Sequence, residues 1–164
     1  MNKVKLTWLL LFTLLMMVAM KVQWNIANSH TAQGIIPLEL AKTHAGAKVI
    51  TADWNIPGAI ENTYLDFAFI IVYSLFLFFG VYRLADRLKY PENLLKYLAW
   101  LAPLAAILDF IENYKMLIFL NDANSFESAY TASILKWGII ALLFLMFIYL
   151  SCRVNDYDRK KIKY

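Results

Sequence analysis

Apolar and polar positions run along this chain in long blocks, not in steps of two. Apolar residues dominate at about 6–24, 64–82, 97–120 and 130–150, and each block is close to the roughly 20 residues that an α-helix needs to cross a bilayer. The pattern predicts an all-α fold, a four-transmembrane-helix bundle, with residues 1–164 as one integral membrane domain. Residues 25–62 are the longest polar segment and are expected to form a helical cap between spans 1 and 2. Within it, Pro37 suits the first turn of a helix and Thr43 suits the cap of a second helix running to Trp54. Asn55-Ile-Pro57-Gly58 then ends that helix. Residues 83–96 read as a basic loop broken by Pro91, 121–129 as a short turn-rich loop, and 151–164 as a charged, frayed tail.

Composition supports the bilayer as solvent. Apolar residues make up 61% of the chain, against roughly 45–50% in soluble domains, and the mean hydropathy is +0.53. The first block, preceded by Lys3 and Lys5, reads as a retained span, with a signal peptide cut near Ala27-Asn-Ser29 as the alternative. Cys152 is the single cysteine, so no intrachain disulfide can form. Basic residues cluster on one side of the predicted bundle: Lys3, Lys5, Arg83, Arg87, Lys89, Lys96, Arg153, Arg159, Lys160, Lys161 and Lys163. Lys21, Lys42 and Lys48 fall on the other side. The positive-inside rule then places both termini in the cytoplasm and the 25–62 cap outside it. Base flanking apolar runs is a topology signal, so the expected partners are the lipid bilayer, a lipid-like ligand or a membrane partner protein, and no nucleic acid.

The third block carries chemistry that a plain span would not. Asp109, Glu112 and Asn113 sit at i, i+3 and i+4 and share one helix face, which Ala102, Ala105, Ala106 and Met116 continue. Lys115 lies at its edge. A charge at bilayer depth costs about 2.5–3.5 kcal/mol even on insertion scales. Such groups persist where they face protein, water or a ligand. At about 1.5 Å per residue, Asp109 lies about 16 Å from the outer end of its span, with Glu112 and Lys115 about 12 and 8 Å deep. Asp66 in the second span and Lys136 in the fourth lie about 3–6 and 9 Å deep. These residues predict a polar pocket that opens outward and is closed inward, with Asp66, Glu112 and Lys115 toward a headgroup. Asp109 and Asn113 would form its floor, with Glu39 and Trp54 closing its roof. A through-pore would need polar lining in both leaflets.

Three readings of this set stand side by side. The charges can be interhelical ion pairs that fix the bundle, the chain then serving as a structural subunit of a membrane complex. They can bind an amphiphile, small ligand or partner subunit. Or Asp109 and Glu112 can act as acid and base in a small membrane enzyme. His30 and His44 with Glu39 match no tight metal spacing, and no cofactor-binding motif occurs, so neither metal nor cofactor is expected. The many Phe residues of the second block are expected to face lipid.

Four local patterns carry a resemblance. They are Gly34-Ile-Ile-Pro-Leu-Glu39-Leu-Ala41, the Ala/Ile run to Trp54, Leu65-Asp66-Phe67-Ala-Phe69 leading to Tyr73-Ser74, and Leu108-Asp109-Phe-Ile-Glu112-Asn113. In this order they resemble a family of small bacterial integral membrane proteins with four spans and an outer loop between spans 1 and 2. The resemblance covers most of residues 5–150. It implies that Glu39, Asp66, Asp109, Glu112 and Asn113 act together, and it brings no established activity.

Overall fold

Helix formation follows the apolar blocks. A computed structural model describes residues 3–28, 34–89 and 91–162; His30 lies outside these described residues. In chain order they form α1 (Lys3–Ala27), α2 (Ile36–Glu39), α3 (His44–Thr51), α4 (Ile56–Asp86), a 3₁₀ segment (Glu92–Trp100), α5 (Leu101–Asn121) and α6 (Tyr130–Ile162). The fold is an all-α four-helix bundle with no strand among the described residues. Four helical stretches are long and apolar enough to cross a membrane: Leu6–Asn25, Ile56–Asp86, Glu92–Asn121 and Tyr130–Asn155.

Several boundaries differ from the sequence pattern. The cap is shorter than 25–62, because α1 runs on to Ala27 and α4 already starts at Ile56. The Asn55 carboxamide accepts from the Gly58 amide at 3.4 Å, and Pro57 occupies the first turn, so the residues that end the cap also nucleate α4. Thr43 caps as expected, its hydroxyl accepting from the Gly46 amide at 3.1 Å, but α3 stops at Thr51, short of Trp54. Residues 151–162 do not fray; they continue α6. Val154 is buried there, Arg153 pairs with Glu92, and Arg87 Nη2 meets Asp158 Oδ2 at 2.8 Å. The 3₁₀ segment runs longer than the usual three or four residues, with Ala99 wholly buried on the core.

Two apolar clusters divide the bundle along its length. At the end away from the cap, α4, α5 and α6 close on Ile70, Phe76, Leu77, Val81, Leu143, Met146 and Leu150, with Leu6 and Leu9 of α1 packed against them. Phe76 is 5% exposed, and Phe67, Phe69 and Phe78 also pack on this cluster, so much of the expected lipid-facing aromatic bulk turns inward. At the other end Trp24, Ile35, Leu38, Ala47, Trp54, Met116 and Phe119 hold the cap down. Trp24 and Trp54 meet edge to face at 4.8 Å.

Helix α1 packs along α4 and forms no comparable face with α5 or α6. Polar stitches fix it at the cap end. Gln23 Nε2 donates to the Gly58 carbonyl at 3.0 Å, Asn62 Nδ2 donates to the Met20 carbonyl at 3.0 Å and to Gln23 Oε1 at 2.6 Å, and the Asn55 amide donates to Asn28 Oδ1 at 2.6 Å. Close approach makes this seam possible: a Cβ on Gly58 would lie 2.3 Å from Ala27 Cβ. Gly58→Ala is therefore expected to destabilise the fold by about 1–3 kcal/mol through overpacking, despite alanine's higher helix propensity. Unfolding in mixed detergent micelles checks this. Ala27→Gly should restore most of the loss, and a neutral Gly58→Ala would refute the close packing.

Candidate functional site

The site is built on helical stripes that the backbone period brings to one line. On α4, Asn62, Asp66, Phe69, Tyr73 and Phe76 recur every three or four residues, which puts them on one face. Thr13, Met17, Met20 and Trp24 do the same on α1, and Ser133, Lys136, Trp137 and Ile140 on α6. On α5, Asp109, Glu112, Asn113 and Met116 are buried with Ala102 and Ala105, while Leu104, Ile111 and Tyr114 are exposed. The small-residue face thus lets α5 bring its acids against α4 and α6.

Lys136 is the hub. Its Nζ donates to Glu112 Oε1 at 2.7 Å, to Asp109 Oδ1 at 2.9 Å and to Glu39 Oε2 at 3.4 Å. An ammonium has three N–H donors, so all three are taken. Lys136 is 3% exposed, and Asp109, Glu112 and Glu39 are each 4% exposed or less. The second oxygen of Asp109 accepts from the Tyr73 hydroxyl at 2.8 Å. Trp137 Nε1 donates to Glu39 Oε2 at 3.2 Å, and the Ser133 hydroxyl donates to the Glu39 carbonyl at 3.1 Å. One lysine thereby ties α5, α6 and the cap together. Beside it, Asn113 Nδ2 donates to Asp66 Oδ2 at 2.7 Å, joining α5 to α4.

Most of the residues singled out from the sequence converge here: Glu39, Asp66, Asp109, Glu112, Asn113 and Lys136. Two do not. Lys115 turns to the α5–α6 loop, donating to the Ser128 carbonyl at 3.2 Å and standing 3.7 Å from Glu127. Trp54 packs on Trp24 in the cap cluster and does not line the cavity described below. With Lys115 elsewhere, the cluster holds four carboxylates and one ammonium, which meets three of them, while Asp66 receives Asn113. Tyr73, Asn62, Trp24 and Trp137 were not singled out as site residues. The three-and-four spacing from Asp66 to Asn62 and Tyr73 was the available signal.

The cluster forms one end of a cavity of about 600 Å³, within the range of small-molecule sites. Its polar end has Glu39, Asp66, Asp109 and Lys136, its walls are mainly Met17 and Met20 of α1, Phe69, Phe76 and Leu77 of α4, and Trp137 and Ile140 of α6, and Thr13, Lys21 and Asn62 also border it. Gly34, Ile35 and Ile36 cover the cap side. Glu112 and Asn113 stand behind this lining, wholly buried, with no hydrogen-bond partner for Glu112 Oε2 or Asn113 Oδ1 among the described residues. The α5–α6 loop braces the roof. Ser128 Oγ donates to the Ala41 carbonyl at 3.0 Å, and His44 stacks on Phe126 with Nε2 2.6 Å from the Ala123 carbonyl. In that loop the Ser125 hydroxyl and the Asn124 amide hold the Asp122 carboxyl below its usual range. Among the described residues no three His, Cys, Asp or Glu side chains converge as metal ligands. No protein family, curated protein or solved structure matches the chain.

Removing one partner of a buried ion pair strands the other charge, typically at about 3–5 kcal/mol. Lys136→Met strands three carboxylates at once and is expected to reach or exceed that range. Glu112→Gln keeps an acceptor for Lys136 and should cost less, and in the double variant it should recover part of the Lys136→Met loss. Tyr73→Phe removes one hydrogen bond to a charged group, worth about 1.5–3 kcal/mol. Unfolding midpoints of the four variants give the ranking; a neutral Lys136→Met would show that Lys136 does not hold the bundle together.

Proposed function

We propose that this protein is a multi-pass protein of the bacterial cytoplasmic membrane that binds an amphiphile in the cavity. The head would lie at Glu39, Asp66 and Asp109, and the apolar tail between α1 and α6. The observation that carries this reading is the cavity's mixed lining, with the carboxylates of Glu39, Asp66 and Asp109 gathered around Lys136 and mainly apolar walls elsewhere, between helices α1 and α6 that share no extended face. At the far end the α4–α5–α6 core with Leu6 and Leu9 is closed and apolar, which weighs against a through-pore. The cap braces the polar end through Glu39. Eleven basic residues on one side of the bundle against three on the other support cytoplasmic termini and an extracytoplasmic cap. The resemblance to small bacterial four-span proteins supports the bacterial setting. Acid and base roles for Asp109 and Glu112 gain little from the geometry, since Lys136 clamps both and Glu112 does not line the cavity.

Native mass spectrometry after gentle extraction is expected to show a co-purifying lipid-sized adduct. Met17→Trp, which fills the apolar wall without touching the polar end, should remove the adduct and leave helical content unchanged. An empty monomer would sink the amphiphile reading, and a protein-sized adduct would replace it with a partner subunit. In intact cells, Cys152, exposed on the basic side, should react with an impermeant maleimide only after the membrane is opened. Labelling of unopened cells would reverse the orientation.

A further inference from the structure

The geometry points to a cationic amine as the headgroup that this cavity accepts, an inference that rests on the amphiphile reading and narrows it. A phosphate or sulfate head needs donors, and both lysines that line the cavity are engaged: Lys21 of α1 has a partner of its own, and Lys136 has no N–H left to give. Each N–H of Lys136 already meets a carboxylate, at 2.7, 2.9 and 3.4 Å. The Tyr73 hydroxyl and the Trp137 indole N–H are also taken, by Asp109 at 2.8 Å and Glu39 at 3.2 Å. Of the other donors that border the cavity, the Asn62 amide donates to the Met20 carbonyl and to Gln23, and the Thr13 hydroxyl to the Leu9 carbonyl.

Acceptors, in contrast, are left over on residues that line the cavity. Asp66 Oδ2 receives Asn113, and Asp66 Oδ1 has no hydrogen-bond donor among the described residues. Glu39 Oε2 receives both Lys136 and Trp137, and Glu39 Oε1 has none. Two carboxylate oxygens on cavity-lining residues are therefore left without a donor among the described residues, on carboxylates that outnumber the ammonium beside them. An incoming ammonium supplies N–H donors for both, and charge-assisted bonds of this kind are roughly twice as strong as neutral ones.

The aromatic lining points the same way. Trp24, Phe69, Tyr73 and Trp137 border the cavity, and aromatic faces attract cations when water is excluded. Trp137 already does so with its neighbour: Lys136 Nζ sits 4.9 Å from the ring centroid. Aromatic rings and free carboxylate oxygens among the lining residues, with methionine and aliphatic walls, describe a site for a long-chain amine.

Three probes of equal chain length separate the possibilities: dodecylamine, dodecanol and dodecyl phosphate. Each is added at matched mole fraction to the full chain in neutral micelles at neutral pH, and the rise of the unfolding midpoint with ligand concentration reports affinity. Dodecylamine is expected to bind roughly tenfold tighter than either of the others. Asp66→Asn keeps an acceptor for Asn113 and should erase that preference while dodecanol binding stays unchanged. Should Asp66→Asn fail to fold, Glu39→Gln, which keeps an acceptor for Lys136 and Trp137, provides the same comparison. Equal or tighter binding of the phosphate or the alcohol would overturn the amine assignment and leave the amphiphile reading standing. Stabilisation by none of the three would remove both. An amine preference that persists in both variants would also overturn the assignment of these carboxylates.

Discussion

A single ammonium holds three carboxylates from two elements, and its own helix makes the third. Lys136 on α6 reaches Asp109 and Glu112 on α5 and Glu39 in the cap, each within 3.4 Å. Ion pairs at this burial are an uncertain source of net stability, because desolvation offsets the attraction. They are a strong source of register: a one-residue slip of α5 or α6 would turn these charges away from each other. The small residues Ala102 and Ala105 admit the approach, as in helix packing through small faces. The cap follows from the same contact, since Glu39 stays buried only while Lys136 and Trp137 receive it.

The hub also explains why the bundle is uneven along its length. Toward one end, apolar side chains of α4, α5 and α6 interdigitate, and Leu6 and Leu9 complete the packing. Near Gly80 the ring of Phe147 and the side chain of Leu6 crowd one spot, so α1 and α6 both lean on α4 there. Toward the cap, α6 turns its stripe to the acids, and α1 is held to α4 by Gln23 and Asn62. Space opens between the two outer helices at that level. The cavity is the geometric consequence of one helix being recruited by charge and the other by amide hydrogen bonds.

Much of this was legible in the sequence. Block lengths gave the four helices, and the i, i+3, i+4 spacing of Asp109, Glu112 and Asn113 gave their shared face. Thr43 and Pro37 marked the cap helices. What could not be read were distances between elements. Lys115 and Lys136 look alike as lysines inside apolar runs, and only packing shows that one meets the acids while the other finds the Ser128 carbonyl. Trp54 reads as a roof residue, but Trp24 stands between it and the cavity wall. Tyr73 sits in a run so rich in aromatics that its partner, Asp109, had to be seen. The α6 extension past Leu150 was hidden because charged residues there pair with Arg87 and Glu92 on other segments, which no local pattern encodes.

Helices α1 and α6 flank a cavity whose polar end is organised by Lys136, and the proposal is that an amphiphile fills it. The most direct measurement is an experimental structure of the full chain in lipid nanodiscs made from lipids of its own host. Elongated density is expected between α1 and α6, with one end within hydrogen-bonding distance of Asp66 or Glu39 and Lys136 still bridging Asp109 and Glu112. Helix α1 packed directly on α6 with the space closed, or Lys136 turned away from both acids, would contradict it.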